Sequence, residues 1–438
     1  IDDGSHSNTF IGHGVSDASM SAASWNTAMG AGALGALTQG DDNTAIGYSA
    51  GAAITTTSGV TLIGYVAGDA ISHTDAVGTV CVGNNAGGAI TSGIGNVAIG
   101  YQSLDACTDS DYNTAVGHQA LTAMTGTAGE VGNTAVGYNA GLAITTATHT
   151  TIVGYDALIT EDVGTGTTAM GRTALYAQNT ASAGATGNTG IGYRAGYNNV
   201  TGTNNTLLGY DAGFGVTTKS YSGCVFIGTY AGRYAYTGNN NIAIGYQAMD
   251  DTDADATVGG STENIFIGAS AGGGTWVTAA SNYNVAIGNL AMDAAMNGAL
   301  SNTAIGYASL SAITTGDKNV GVGYAAGDSI TTGGTNTCIG YDAQPSAVGG
   351  TNQTVIGNLA SGQADNSVTL GDGNVTAVYM ADDSGATVYC GAIGVGEGSP
   401  SAPLHLTTTG STDVNIVLEG SNSTWCIGND YSDSGKLK

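Results

Sequence analysis

Asn43-Thr44-Ala45-Ile46-Gly47-Tyr48-Ser49-Ala50-Gly51 is the stretch that decides the fold of this chain. It recurs at 133–141 as Asn-Thr-Ala-Val-Gly-Tyr-Asn-Ala-Gly and at 336–343 as Asn-Thr-Cys-Ile-Gly-Tyr-Asp-Ala. Looser copies fill the chain from residue 8 to residue 360. Repetition of one short unit is typical of architectures in which each copy forms one coil and packs only on its neighbours.

One glycine in each copy sets the register. There are 20 such pivotal glycines, at residues 12, 30, 47, 64, 83, 100, 117, 137, 154, 171, 192, 209, 228, 245, 268, 288, 306, 323, 340 and 357. Of the 19 spacings between them, 11 are 17 residues and none is shorter. A unit that can grow but not shrink indicates a fixed core with one tolerant loop. The sequence therefore predicts an all-β chain, a parallel β-solenoid (β-roll) of about 20 coils with a 17-residue period.

A short strand precedes each pivotal glycine. The residue three before the glycine is Thr, Val or Ile, and the residue directly before it is Ile, Val, Met or Leu. Positions two apart share a face of a strand, and β-branched residues suit such positions. The pattern predicts a half-buried strand, and we expect Ile46 to lie in the core of its coil.

Three other positions have predicted roles. The pivotal glycine allows the backbone to bend, or to take a positive φ, between short strands. Asn lies four residues before the glycine in 14 copies, where stacked side chains can hydrogen-bond from coil to coil. Tyr follows the glycine directly in 11 copies, which predicts an aromatic ladder along one edge.

The position three after the glycine carries a very small residue in 19 of the 20 copies. It is Ala in 17 of the 20 copies and Ser in two. Either the two walls of the coil meet there, or a second chain does. We favour self-association, because three chains around an axis could not widen locally to admit a larger side chain. The chain is therefore expected to form a homotrimer, or else to stack end to end as a single-chain solenoid.

All of the extra length lies between the small position and the next Asn. Residues 175–187, 250–263 and 273–283 are examples, rich in Thr, Ala, Gly, Ser and Asp. We expect these loops to project from one side of the solenoid, where recognition of a cell-surface glycan or another surface receptor would lie.

Composition excludes several classes of protein. With 74 Gly but only 3 Pro the chain is not collagen, and with 9% charged residues it is not a charge-driven disordered chain. The 33 acidic residues against 7 Lys and Arg give a net charge of −26. Such a surface repels nucleic acid and anionic membranes and keeps a long fibre soluble. We therefore expect no nucleic-acid partner.

No apolar run approaches the roughly 20 residues that a membrane-spanning helix needs, so no membrane insertion is expected. The chain begins inside a repeat without an initiator Met or signal peptide, and we interpret it as an excerpt or a processed product. Its six cysteines form no CxxC pair. Cys81 and Cys338 occupy a position that is usually Ala, and we expect them to be small buried apolar residues.

The repeat pattern changes near Asn366-Ser367-Val368-Thr369-Leu370-Gly371, whose glycine follows Gly357 after only 14 residues. We predict a solenoid over residues 1–371 and a β-rich transition domain over 372–438. Strands in the second domain are predicted at 375–380, 386–390, 404–407, 414–418 and 425–428.

The core of the repeat resembles a known family. Asn96-Val97-Ala98-Ile99-Gly100 and the hexapeptide at 366–371 are similar to the head repeat of YadA-like trimeric autotransporter adhesins, whose signature is Asn-Ser-Val-Ala-Ile-Gly. That resemblance implies a left-handed parallel β-roll with three chains packed around a common axis. The longer form of the unit, with Tyr-x-Ala and Ile-Thr-Thr-Gly, is more similar to repeats of phage tail fibres and tail-fibre-like bacterial surface proteins. The passage at 394–406 also resembles such fibre proteins, in which it precedes a self-cleaving intramolecular chaperone.

Two motifs look like catalytic or nucleotide-binding signatures. Ser49 and Ser270 both lie in Gly-x-Ser-x-Gly, but other copies carry Val66, Gln102 or Arg194 at the same position. A nucleophile elbow also needs a strand-to-helix turn with His and acid partners. The glycine-rich stretch at 190–196 opens no helix and is therefore not a phosphate-binding loop. We interpret both motifs as parts of the repeat.

The sequence contains one candidate metal site, for calcium, and it lacks the usual calcium-binding motifs. Asp251, Asp253 and Asp255 could offer oxygen ligands to calcium, but the Glu of an EF-hand and the nonapeptide calcium-roll pattern are both lacking. We interpret this segment as a solvated acidic loop with calcium as the alternative. The six histidines contain no His-x₃-His pair, so a zinc site is not expected.

Together these features predict a structural and adhesive extracellular fibre, either a virion tail fibre or a cell-surface filament, and not an enzyme. Two alternatives remain. A solenoid carbohydrate-active enzyme would need carboxylates or basic residues clustered on successive coils. An ice-binding solenoid is suggested by Ile-Thr-Thr at 54–56, 144–146, 313–315 and 330–332. Adjacent Thr residues point to opposite faces of a strand, however, so a flat double row of Thr is not expected.

Overall fold

The structure is a computed structural model, and it divides into two compact units, Ile1–Asn374 and Val375–Lys438. In the first unit it describes residues 7–374 except 17, 19, 127, 181–183, 218, 236, 251–259 and 277–278. In the second unit it describes residues 375–378 and the backbone of five strands.

The strands are numbered in chain order. The first unit contains β1 (Thr9–Ile11), β2 (Thr27–Met29), β3 (Thr44–Ile46), β4 (Thr61–Ile63), β5 (Val80–Val82), β6 (Val97–Ile99), β7 (Ser110–Asp111), β8 (Thr114–Val116), β9 (Gly129–Glu130), β10 (Thr134–Val136), β11 (Thr151–Val153), β12 (Thr168–Met170), β13 (Thr189–Ile191), β14 (Thr206–Leu208), β15 (Val225–Ile227), β16 (Ile242–Ile244), β17 (Ile265–Ile267), β18 (Val285–Ile287), β19 (Thr303–Ile305), β20 (Val320–Val322), β21 (Thr337–Ile339), β22 (Thr354–Ile356) and β23 (Val368–Leu370). The second unit contains β24 (Ile393–Val395), β25 (Leu404–Leu406), β26 (Val414–Gly420), β27 (Ser423–Asp430) and β28 (Lys436–Leu437).

A parallel sheet of 21 strands dominates the first unit. Each strand pairs in register with the strand of the next coil, as in Thr44 opposite Thr61 and Ile46 opposite Ile63. The residues described in the structure contain no helix. These observations confirm the predicted parallel β-solenoid. They also add one coil to the 20 counted from the sequence, because β23 continues the register of β22 despite its shorter spacing.

The predicted face of the strand is wrong. In β3 the middle residue, Ala45, is buried, whereas Thr44 and Ile46 on either side are only half-buried. The two outer residues of the strand are likewise not buried in any of the 21 strands. The alternation was predicted correctly, but Ile46 lies on the outer face and is not in the core. The coil is too narrow to hold two β-branched side chains per strand, so the smaller middle residue faces inward.

The interior is filled by small residues and a few large ones. Ala50, Ala67 and Ala86, at the small position, are fully buried inside their own coils. The space between them is occupied by larger aliphatic side chains such as Ile54 and Ile71. The narrow interior therefore explains the small position without a second chain, and this position is not an argument for self-association.

Gly47 shows why the pivotal position must be glycine. Its φ is +142°, and a Cβ built on it would lie 2.0 Å from the carbonyl oxygen of Gly64 in the next coil. Both the backbone conformation and the close approach of the coils exclude a side chain here. The predicted positive φ is confirmed.

The Asn ladder is confirmed, and it lies inside the coil. Asn319 donates from Nδ2 to Oδ1 of Asn302 (3.1 Å) and to the carbonyl of Gly333 (2.8 Å). Its own Oδ1 accepts from the backbone N–H and the Nδ2 of Asn336, both at 3.0 Å. Each Asn thus ties together three coils and satisfies buried backbone groups that the short strands leave unpaired.

The second unit contains two small sheets. Strands β24 and β25 pair in parallel, and β26, β27 and β28 form an antiparallel sheet. Three of the five predicted strands overlap β25, β26 and β27. The strand predicted at 375–380 is wrong for residues 375–378, which are not in a strand, and the one at 386–390 lies outside the described residues.

Candidate interaction surface

The outer face of the 21-stranded sheet carries two rows of side chains. The row directly before the pivotal glycine, here called the aliphatic row, contains only Ile, Val, Met or Leu in all 21 coils. Twelve of these residues are exposed, from Val136 at 37% to Ile11 at 53%, and the other nine are half-buried. The second row, two residues earlier, is Thr, Val or Ile. A continuous line of large aliphatic side chains, all at least partly exposed, is typical of interaction surfaces.

A tyrosine ladder runs beside the aliphatic row, on the other side of the pivotal glycines. Tyr307, Tyr324 and Tyr341 stack with ring centroids 5.0–5.1 Å apart and nearly parallel planes. His118 replaces a tyrosine between Tyr101 and Tyr138 and stacks on both. The predicted aromatic ladder is confirmed in these coils. Because each ring face is covered by its neighbour, the ladder presents mainly ring edges and hydroxyl groups.

The only three arginines of the chain lie between residues 172 and 233. Arg194 pairs with Asp211 of the next coil through two bonds of 2.8 and 2.5 Å. The hydrogen bond to this carboxylate raises the pKa of Arg194 above its usual value. Arg233 makes a similar ion pair with Asp250, at 3.2 Å. Both pairs connect successive coils.

Arg172 differs from the other two arginines. Its side chain is exposed, and its guanidinium carbon lies 5.7 Å from the ring centroid of Tyr155 and 5.6 Å from that of Tyr193. It takes the place of an aromatic ring in the tyrosine ladder. No carboxylate within the described part of the chain lies at ion-pair distance from it. The sequence analysis did not identify the arginines as candidate functional residues. The restriction of all three to residues 172–233 was the signal that could have indicated them.

The catalytic-looking motifs fall on turns. Ser49 and Ser270 follow the pivotal glycine by two residues, and both have φ near +52°. Other residues in this register, among them Val66 and Gln102, adopt the same conformation. Gly190 lies inside β13, where it faces Leu175. Neither motif forms a strand-to-helix turn. The calcium candidates Asp251, Asp253 and Asp255 lie outside the described residues.

The four described cysteines are buried and free of disulfide bonds, as expected for small apolar residues. Burial raises the pKa of the Cys81 and Cys338 thiols to about 12. Both thiols are therefore protonated and unreactive in the folded chain.

The first threonine of three of the four Ile-Thr-Thr stretches is hydrogen-bonded within the solenoid. The hydroxyls of Thr145 and Thr314 donate to backbone carbonyls of the next coil, at 3.2 and 3.0 Å. The same bond recurs at Thr38 and Thr331. The hydroxyls of these first threonines connect successive coils, so they are not part of a free row.

Across the described residues, no group of three or more His, Cys, Asp or Glu side chains is arranged to hold a metal ion. Nor does the described part of the chain contain a helix long and apolar enough to cross a membrane. No protein-family model matches the sequence, and no curated protein matches it.

Proposed function

We propose that this chain is a subunit of an extracellular structural and adhesive fibre, which self-associates as a homotrimer through the aliphatic row. The observation that carries the proposal is the uniformity of that row. The buried middle position of the strand accepts residues as different as Gly190, Ala45, Cys81 and Phe226, whereas the outward row is aliphatic in every coil. A position that faces only water would accept polar residues in some coils.

The size of the surface agrees with a stable interface. With 21 coils at about 4.8 Å each and a width of about 10 Å, the face covers on the order of 1,000 Å². A standard interface buries about 800 Å² per partner. The net charge of −26 opposes association, but salt screens it beyond about 8 Å at physiological ionic strength. Self-association should therefore weaken at low salt, because the driving force is apolar and the opposing force is electrostatic.

Sedimentation of the chain and of two matched variants tests the proposal. Ile305→Gln with Ile339→Gln changes two exposed residues of the aliphatic row. Each change should cost about 1–2 kcal/mol of association free energy per chain. Thr315→Gln with Thr332→Gln changes two exposed residues in the same region of the solenoid, away from that row, and serves as the control. The parent and the control should sediment as the same oligomer. The aliphatic-row variant should dissociate at a higher protein concentration than either of them. A parent that remains monomeric at micromolar concentration would refute the proposal.

A second candidate function, ice binding, is favoured by one observation. Six successive coils place an outward Thr two residues before the aliphatic row, at Thr114, Thr134, Thr151, Thr168, Thr189 and Thr206. Regularly spaced Thr and aliphatic side chains on a parallel sheet would be available only in a monomer. Thermal hysteresis by a monomeric chain would support this alternative, and its absence in a monomer would remove it.

A further inference from the structure

The three arginines differ in what their charge is used for. Arg194 and Arg233 are each matched by a carboxylate in the next coil, and their side chains are 32% and 26% exposed. The guanidinium carbon of Arg194 also lies 4.8 Å from the ring centroid of Phe214. These two residues therefore stabilise the stacking of coils, and their charges are already neutralised.

Arg172 has a position in the ladder, but no acid among the described residues lies close enough to neutralise it. Tyr155 and Tyr193 hold its guanidinium in the ladder through cation–π contacts. An arginine held in this way keeps its N–H donors in a fixed planar arrangement, which matches the two oxygens of a carboxylate. Tyr155 is 48% exposed, so a phenol lies beside the guanidinium at the surface. Together the two side chains offer one positive charge and an aromatic hydroxyl to an external ligand.

The charge of the whole chain limits the ligand. With 33 acidic residues against 7 basic ones, the surface repels polyanions such as nucleic acid or heavily sulfated polysaccharides. A ligand with one negative charge on a neutral, hydroxyl-rich body avoids that repulsion. It can still form a two-point bond to Arg172 and hydrogen bonds to the neighbouring phenols. A sugar that carries a carboxylate has this chemistry.

We propose that Arg172, with Tyr155 and Tyr193, binds the carboxylate of an acidic sugar at the end of a surface glycan. The inference rests on the adhesive part of the proposed function and names the class of glycan recognised. It does not depend on the aliphatic row, so the two can fail separately.

Direct binding measurements test the site. Glucuronic acid is titrated into the full chain by calorimetry, with glucose as the neutral probe and heparin as the polyanionic one. Glucuronic acid should bind and glucose should not. The affinity for heparin, divided by its number of carboxylate and sulfate groups, should be lower than the affinity for glucuronic acid. In Arg172→Gln the affinity for glucuronic acid should fall about 10-fold or more, since a hydrogen bond to a charged group is lost.

The matched control is Lys318→Asn. It removes one positive charge from an exposed position in a distant coil, where the backbone φ of +58° suits Asn. Binding retained in the control and lost in Arg172→Gln supports the site. Equal binding by the parent and Arg172→Gln, equal loss in both variants, or no binding of glucuronic acid overturns it. A monomeric parent that binds through Arg172 would leave this inference standing and remove the trimer.

Discussion

The Asn ladder gives the sharpest prediction about what stabilises the solenoid. Replacing Asn319 by Ala removes the acceptor for the backbone N–H of Asn336 and the donor to the carbonyl of Gly333. Asn319 and Asn336 are fully buried, so water cannot replace the lost partners. Each unsatisfied buried group costs about 1–3 kcal/mol, which gives a loss of about 2–6 kcal/mol in the free energy of unfolding.

A conservative variant separates the two bonds. Thr79 occupies the same register as Asn319, and its hydroxyl donates to the carbonyl of Gly93, 14 residues later. By analogy, Asn319→Thr should keep the bond to Gly333 and lose the bonds along the ladder, of which only the loss of the acceptor for the backbone N–H of Asn336 leaves a buried group without a partner. It should therefore destabilise the chain by about half as much as Asn319→Ala. Asn358→Ala, at an exposed position, should change the stability by less than about 0.5 kcal/mol.

Urea unfolding followed by circular dichroism measures the three free energies. Hydrogen exchange should show the loss of protection concentrated in residues 302–336, because each coil interacts only with its neighbours. If Asn319→Ala and Asn358→Ala unfold at the same urea concentration, the ladder does not stabilise the solenoid. If Asn319→Thr is as unstable as Asn319→Ala, the bond along the ladder is the important one and the bond to Gly333 is not.

Three further predictions follow from burial. Ala212→Leu should destabilise its own coil by about 1–3 kcal/mol through overpacking, and a melting temperature that falls equally at all protein concentrations would show that the effect is not on assembly. Cys81, with a pKa of about 12, should resist iodoacetamide at pH 8 in the folded chain and react in urea; rapid labelling of the folded chain would contradict its burial. Burial raises the pKa of Asp105 above its usual 3.8, and the nearby charge of Asp69 adds to this shift. The folded state therefore binds this proton more tightly than the unfolded state, so the free energy of unfolding falls as the pH rises from 3.8 through the folded pKa. Asp105→Asn should therefore be more stable than the parent at pH 7 and similar to it at pH 3, as thermal melts at both values can establish; a lower melting temperature at pH 7 would contradict this.

The elements with a strict spacing were predictable from the sequence alone. The pivotal glycines gave the register of nearly every strand, because a Cβ at Gly47 would clash with the next coil wherever the repeat is stacked. The Asn and Tyr ladders followed from the same register, since identical side chains one coil apart lie in contact. The roles of the three arginines, Arg172, Arg194 and Arg233, were not predicted. Arg172 and Arg194 lie at different positions of the repeat. When the copies are aligned, each arginine therefore looks like an isolated exception at its own position.

The face of the strand was the main structural feature that periodicity could not decide. Alternation shows that two sets of side chains point in opposite directions, but it does not show which set faces inward. Hydrophobicity favoured the set with Ile46, since large aliphatic residues are usually buried. The proposed partner surface would cover these residues, and a surface on another chain leaves no alternation pattern within this one.

A volume exchange inside the repeat identifies the inner face without a structure. Where the middle residue of the strand is Leu62, Leu207, Phe226 or Phe266, the residue six positions later is glycine, whereas Ile152 with Leu158 is an exception. Where the middle residue is alanine, that later position is often Leu or Met, as in Ala98 with Leu104, Ala115 with Leu121 and Ala286 with Met292.

The structure shows the cause of this exchange. A Cβ on Gly232 would lie 2.6 Å from the ring of Phe226, so the two positions share one space inside the coil. Two positions that exchange volume must be in contact, and the middle residue must therefore face inward. If the chains associate as proposed, another copy of the same solenoid would present the same surface from coil to coil, which would explain why the row is aliphatic in every coil.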